Sequence, residues 1–312
     1  MHTGQKDQDL KLKKCKYFDF TLFNSEYERI MNKKAPSYLF LTWLIGFIEG
    51  DGSLIIAKRG DLSFVITQDT RDIQVLNMIH KNLNLGKVVK QGKTTSRYII
   101  QDKKGFYLIA ILLNNNLVTY SKIISLNLFI LALNKYNQKG ILNYPIIKLN
   151  FNLLSLNANN LNIDFINKNK ELFYNYAVKP TLQDGWFSGF TDSEGCFSVS
   201  ISSISKRFNI CFDIAQNHIE NKYILDHFSF LFKVGKVSKH SNKKAYCYRV
   251  SGLNNLTKLF PYFDEYPLLS KKLKSYILWK DIHNKIKNKN HLNFTFRESL
   301  KVLASKVNNN WD

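Results

Sequence analysis

Two acidic residues recur in matching surroundings. Asp51 closes the stretch LIGFIEGDG, Leu44 to Gly52, and Glu194 closes FSGFTDSEG, Phe187 to Gly195. Laid over each other, Gly46 meets Gly189, Phe47 meets Phe190, Asp51 meets Glu194 and Gly52 meets Gly195. An internal repeat half a chain apart governs any reading of the fold. Each acid follows a helix-like run and precedes glycine, a common helix stop. A helix C-terminus carries partial negative charge, which disfavours a carboxylate there. Two such carboxylates brought together repel further. A divalent cation resolves both problems, and hard oxygen ligands suit Mg²⁺.

The elements that must position these acids are two helices. Tyr38 to Ile45 is apolar nearly all round, the pattern of a buried helix. Small residues recur every fourth position, Thr42, Gly46 and Gly50 in one copy and Gly185, Gly189 and Ser193 in the other. Positions four apart share a helix face, so each stripe admits close approach of another backbone. Interior glycine costs a helix roughly 1 kcal/mol against alanine. The two stripes are therefore expected to pack on each other.

Two further pairs align. Gln68 in FVITQ and Gln216 in FDIAQ end matching strands. Lys122 in LVTYSK and Lys272 in PLLSKK lie six residues into matching stretches, with Lys271 an alternative to Lys272.

The two stretches resemble the signature of the LAGLIDADG homing endonucleases, in the monomeric form with two repeats in one chain. Leu44-Ile45 and Phe187-Ser188 depart from the motif's opening Leu-Ala, and Glu194 stands for aspartate. The resemblance implies that Asp51 and Glu194 are metal-binding catalytic acids, helped by the carbonyls of Gly50 and Ser193. It implies that Gln68 and Gln216 order water near the metals. It implies that Lys122 and Lys272 polarise the attacking water or stabilise the charged transition state. The expected reaction is Mg²⁺-dependent phosphodiester hydrolysis, with Mn²⁺ or Ca²⁺ able to occupy the site. Similar enzymes cut across the minor groove of a long duplex and leave 3′ overhangs.

The 312 residues carry a net charge of +21, the footprint of a polyanion binder. With 45% hydrophobic residues a real core can form. No apolar run reaches the roughly 18 residues needed to span a bilayer, so no membrane association is expected. Cys15, Cys196, Cys211 and Cys247 lack zinc-type pairing and read as reduced structural cysteines in an intracellular compartment. The N-terminal lysines are mixed with Asp7, Asp9 and Glu26, unlike a transit peptide. Heavy use of Asn, Lys, Ile, Phe and Tyr, which have A/T-rich codons, joins the resemblance in suggesting an organelle gene, mitochondrial by expectation.

The expected fold is α/β (α+β): two pseudo-symmetric helix-hairpin-helix-hairpin-helix repeats whose antiparallel sheets form a DNA-binding saddle. Residues 1–34 read as an arm, 35–135 as the first repeat, 136–179 as a linker with a short helix near Ile163 to Tyr176, and 180–312 as the second repeat. Ser37 is a candidate helix cap. In the second repeat, helices are expected over Thr181 to Ser193, Leu253 to Phe260, Leu269 to Asn288 and Arg297 to Val307.

Alternation along the strands selects the faces that would meet DNA. In the first repeat these offer Arg59, Ser63, Lys87, Gln91 and Arg97. In the second they offer Ser198, Ser200, Ser202, Arg207, Asn209, Asp213, Lys236, Ser238, His240 and Arg249. A β-ribbon fits the major groove, where Arg, Asn, Asp and Ser can read bases and Lys can hold phosphates. The rival readings are an intron-splicing maturase that holds RNA on the same scaffold, and a DNA-binding regulator on a dead scaffold. The retained acids favour cleavage over the latter.

Overall fold

The computed structural model describes residues 17–138, 140, 144–149, 177–217, 221–240 and 245–309. The expected linker helix near Ile163 to Tyr176 lies outside the described residues, as does Cys15.

The first motif helix is α2 (Tyr38–Asp51), preceded by α1 (Thr21–Met31). Ser37 caps α2, its hydroxyl accepting from Phe40 N at 3.2 Å, and every residue from Phe40 to Glu49 is buried. There follow β1 (Gly52–Ile56), β2 (Leu62–Asp69), α3 (Ile73–Leu83), β3 (Lys87–Gln91), β4 (Thr95–Ile100), α4 (Lys103–Leu113) and α5 (Tyr120–Gln138). The second unit runs α6 (Trp186–Glu194), β5 (Gly195–Ile201), β6 (Phe208–Asn217), α7 (Lys222–Phe232), β7 (Lys236–Lys239), β8 (Ala245–Ser251), α8 (Leu253–Leu256), α9 (Phe260–Glu265), α10 (Lys272–Lys287) and α11 (Phe294–Lys306). Both sheets are antiparallel, ordered β1-β2-β4-β3 and β5-β6-β8-β7. The chain is thus the α/β, two-repeat structure expected, with the same strand order twice.

Four local expectations are corrected. The arm contains α1, whose Phe23 and Tyr27 lie four apart on one face and are buried; Tyr27 donates to Leu83 O at 2.9 Å. The lysine-rich run before it obscures this short apolar stripe. The second motif helix starts at Trp186, not Thr181, because Asp184 folds the preceding residues into a turn. Its carboxylate accepts from Thr181 N and Oγ1 at 2.8 Å and from Trp186 N at 3.0 Å. The helix expected over Leu253 to Phe260 is broken into α8 and α9, since Pro261 supplies no N–H to continue a helix but suits the first turn of a new one. The last helix begins at Phe294, capped by Asn293.

Each sheet buries one face. Phe64, Ile66, Tyr98 and Ile100 point into the first unit's core, and Phe197, Phe212, Ile214, Tyr248 and Val250 into the second's. Burying each such side chain contributes about 1.5–3 kcal/mol. The opposite faces stay open. Between the units, α2 and α6 pack along their small-residue stripes, and Gly185 N donates to Thr42 Oγ1 across the seam at 3.0 Å.

Candidate active site

Both seam helices end on the acid. The next residue, Gly52 or Gly195, is extended (φ −76° in each) and leads directly into a strand. Left-handed freedom is therefore not why glycine is there. A Cβ on Gly52 would stand 2.8 Å from Ile48 O, and one on Gly195 2.8 Å from Thr191 O. Space at the helix-to-strand bend requires glycine, and the bend places each acid at the top of the seam. There the two ends meet: a Cβ on Gly50 would lie 3.0 Å from Glu194 Cγ.

Asp51 and Glu194 are half-buried. Gln68 Nε2 donates to Asp51 Oδ2 at 2.5 Å. Burial pushes the Asp51 carboxyl up, against the pull of Lys272, Gln68 and Lys122. Burial also pushes Glu194 up, the charge of Asp51 adds to it, and Lys272, Lys122 and Gln216 oppose. Each acid therefore feels both lysines, one from its own unit and one from the other. Gln216 hydrogen-bonds Glu194 as Gln68 does Asp51, and its amide also donates to Ala215 O and accepts from Asn221, both at 3.1 Å.

Lys122 Nζ donates to Gly52 O. Lys272 Nζ donates to Thr191 O at 3.1 Å and Ser193 O at 2.9 Å. Two ammonium groups thus sit against the electronegative ends of the seam helices, where the dipole favours cations. Of the two candidate lysines, Lys272 brings its ammonium to the seam, whereas the Lys271 main-chain N–H donates to Asp72 at 3.1 Å. Burial lowers the pKa of both Lys122 and Lys272, and the acids around them work against it.

Two residues were missed by sequence reasoning. Glu49 and Asp192, two positions before each acid, are buried under the segments leading into the lysine helices. Glu49 accepts from Thr119 N at 3.0 Å and from Val118 N and Thr119 Oγ1. Asp192 accepts from Leu269 N at 2.8 Å, from Ser270 N at 3.2 Å and from Trp43 Nε1 at 2.8 Å. They fix where α5 and α10 start, and so where Lys122 and Lys272 stand. Their signal was present: both acids sit in register within the repeated motif.

The donor set suits a hard cation: two carboxylates at the ends of touching helices. Among the described residues no group of three or more His, Cys, Asp or Glu is arranged to hold a metal. A cation here would draw on those two acids, main-chain oxygens, water and a phosphate.

The open sheet faces carry most of the expected contact residues. Cross-strand register puts Ser63, Arg97, Lys87 and Gln91 on the first outward face, with Thr67 opposite Arg97 and Gln91 opposite Thr95. It puts Ser198, Ser200, Asn209, Asp213, Arg249, Lys236 and Ser238 on the second. Arg59, Ser202, Arg207 and His240 lie beyond the strand ends: Arg59 pairs with Asp61 in the β1–β2 turn, Ser202 N donates to Arg207 O, and His240 N donates to Ala245 O.

This architecture, acids at the top of two packed helices with an open sheet on each side, defines a two-repeat endonuclease scaffold. The LAGLIDADG endonuclease family model matches residues 44–133 and 187–283, more than half of the chain, and the chain belongs to that family. Among similar proteins is "Probable intron-encoded endonuclease 4" of Neurospora crassa, 33% identical over 261 residues, which are 81% of this chain and 41% of the relative. The chain thus spans less than half of that relative's length. A solved structure of the homing endonuclease I-GzeII in complex with its DNA target shares 23% identity at a TM-score of 0.67, covering 85% of this chain and 97% of that one. A structure of I-SmaMI, bound to uncleaved DNA in the presence of calcium ions, shares 21% at a TM-score of 0.67, covering 86% and 98%. Among the described residues no helix is long and apolar enough to cross a membrane.

Proposed function

We propose that the chain is a monomeric, site-specific DNA endonuclease that hydrolyses one phosphodiester in each strand of a long duplex at the α2–α6 seam. One observation carries the reading: Asp51 and Glu194, from separate halves, converge at the ends of touching helices with Lys122 and Lys272 against those same ends. The DNA bound in the I-GzeII and I-SmaMI structures supports duplex DNA as the partner, and the calcium present with the latter supports a divalent cation.

Asp51 and Glu194, with the carbonyls of Gly50 and Ser193, would hold the cation, taken to be Mg²⁺. When bound it activates water and stabilises the leaving oxygen. The chain's own groups do the rest. Gln68 and Gln216 orient water beside the acids. Lys122 and Lys272 supply fixed positive charge where negative charge grows on the phosphoryl oxygens, without reorganisation. The open sheets and the net charge of +21 hold the duplex. Cleavage across the minor groove leaves 3′ overhangs. The intron-encoded relative and the heavy use of residues that have A/T-rich codons support an organelle gene, mitochondrial in this reading.

Incubation of the purified chain with a randomised DNA library in Mg²⁺, followed by sequencing of the ends, tests this. The expected result is one long recovered site with 3′ overhangs and no recovery in EDTA. Recovery of no site in Mg²⁺ or Mn²⁺ overturns it.

A further inference from the structure

In one matching row of the outward sheet faces, the second sheet has an ion pair where the first has two apolar side chains. Counted from the pairs Gly52–Ile66 and Gly195–Ile214, the cross-strand pair Val65–Ile99 of the first sheet corresponds to Asp213–Arg249 of the second. Arg249 Nε donates to Asp213 Oδ1 at 2.5 Å and Nη2 to Oδ2 at 3.2 Å. The Asp213 side chain is sunk in the sheet at 16% exposure, while that of Arg249 stands out at 57%. Two thiols steady the carboxylate: Cys211 Sγ lies 3.4 Å and Cys247 Sγ 3.7 Å from its oxygens. Ser198 Oγ in turn meets Cys211 Sγ at 3.0 Å. Burial, with the Asp213 charge behind it, pushes the Cys247 thiol up to about 11, and burial pushes Cys211 up as well. Both remain S–H donors at neutral pH.

A guanidinium has two donor edges. Asp213 occupies the Nε–Nη2 edge, which leaves the Nη1–Nη2 edge at the outer end of the side chain. Two parallel N–H donors at that edge match the O6 and N7 acceptors of guanine in the major groove. We propose that Arg249, held by Asp213, reads a guanine in the half of the target facing the second sheet. Val65 and Ile99 offer no side-chain donor at the matching place, so the first sheet reads no guanine there and the target is asymmetric at these positions. The inference rests on the duplex-DNA-binding part of the reading above, not on cleavage. Asp213 acts through Arg249 and is a positioning residue: it fixes one rotamer of a long side chain before DNA arrives.

Selection from the randomised library, once for cleavage and once for binding, tests it with wild type, Arg249→Lys, Arg249→Ala and Asp213→Asn. Wild type should show one guanine preference of about tenfold to hundredfold that both Arg249 variants lose. Asp213→Asn should weaken it, with other positions and the unfolding temperature unchanged. An unchanged guanine preference in an active Arg249→Ala overturns this inference alone. Failure of wild type to cleave any site, with a binding profile that still loses its guanine in Arg249→Ala, overturns the nuclease reading and leaves this one standing. A binding profile without guanine at any such position overturns it.

Discussion

Gly46 and Gly189 press the two halves of the chain into backbone contact. A Cβ on Gly46 would stand 2.7 Å from Phe190 N and closer still to Trp186 O, and one on Gly189 would stand 2.9 Å from Phe47 N and closer still to Trp43 O. Backbone cannot step aside as a side chain can. Gly46→Ala or Gly189→Ala should therefore destabilise the fold by about 1–3 kcal/mol through overpacking. Cleavage should fall further than stability explains, because the same seam aligns the acids. Urea unfolding and single-turnover cleavage on the same preparations check both halves of this expectation.

Gly50 faces Ser193 and Glu194 side chains rather than backbone. Gly50→Ala should also cost stability, and adding Ser193→Gly should recover part of it by freeing the volume the new methyl needs. A double variant no more stable than Gly50→Ala would contradict the packing described.

The buried motif acid Glu49 gives stability a pH dependence. Burial pushes its carboxyl from 4.5 to about 7 despite the donors around it. Asp72 is pushed up to about 6 by burial. A carboxyl with a raised folded pKa binds a proton in the folded state that the unfolded chain has released. Its contribution to stability is therefore lost as pH rises through the window between the two values. For Glu49 that window is about pH 4.5 to 7. Urea midpoints measured from pH 5 to 8 should fall less in Glu49→Gln than in wild type. Parallel curves for the two would contradict the assignment.

Lys122 and Lys272 are expected to act on the transition state rather than on binding. Replacing either by methionine keeps the chain length and removes the charge. Single-turnover cleavage should drop about 10²–10³-fold, the scale for one lost charge-stabilising donor, while target affinity measured in Ca²⁺ changes little. Equal losses in affinity and rate would place these lysines in DNA holding instead.

Much of this arrangement is legible in the residues. The repeat exposes the pseudo-symmetry, the spacing of Thr42, Gly46 and Gly50 exposes the seam, and clean alternation from Cys196 to Ser202 exposes an open sheet face. What was hidden has physical causes. Phe23 and Tyr27 belong to a stripe too short to stand out beside a lysine-rich run. Asp184 competes for backbone donors and delays the second motif helix by a turn. Glu49 and Asp192 are in register within the motif, but that they bind main-chain N–H groups of segments about 70 residues or more away depends on tertiary packing. That Asp213 and Arg249 act as one unit depends on register between β6 and β8, which strand patterns alone do not supply.

The central claim is that Asp51 and Glu194 form one shared centre that cuts DNA. The most direct measurement is cleavage and binding of the selected target by Asp51→Asn/Glu194→Gln beside wild type, in Mg²⁺. The account predicts no double-strand cleavage by the double variant, with duplex binding retained and with its unfolding temperature no longer raised by divalent cations as the wild type's is. Full cleavage by that variant would contradict it.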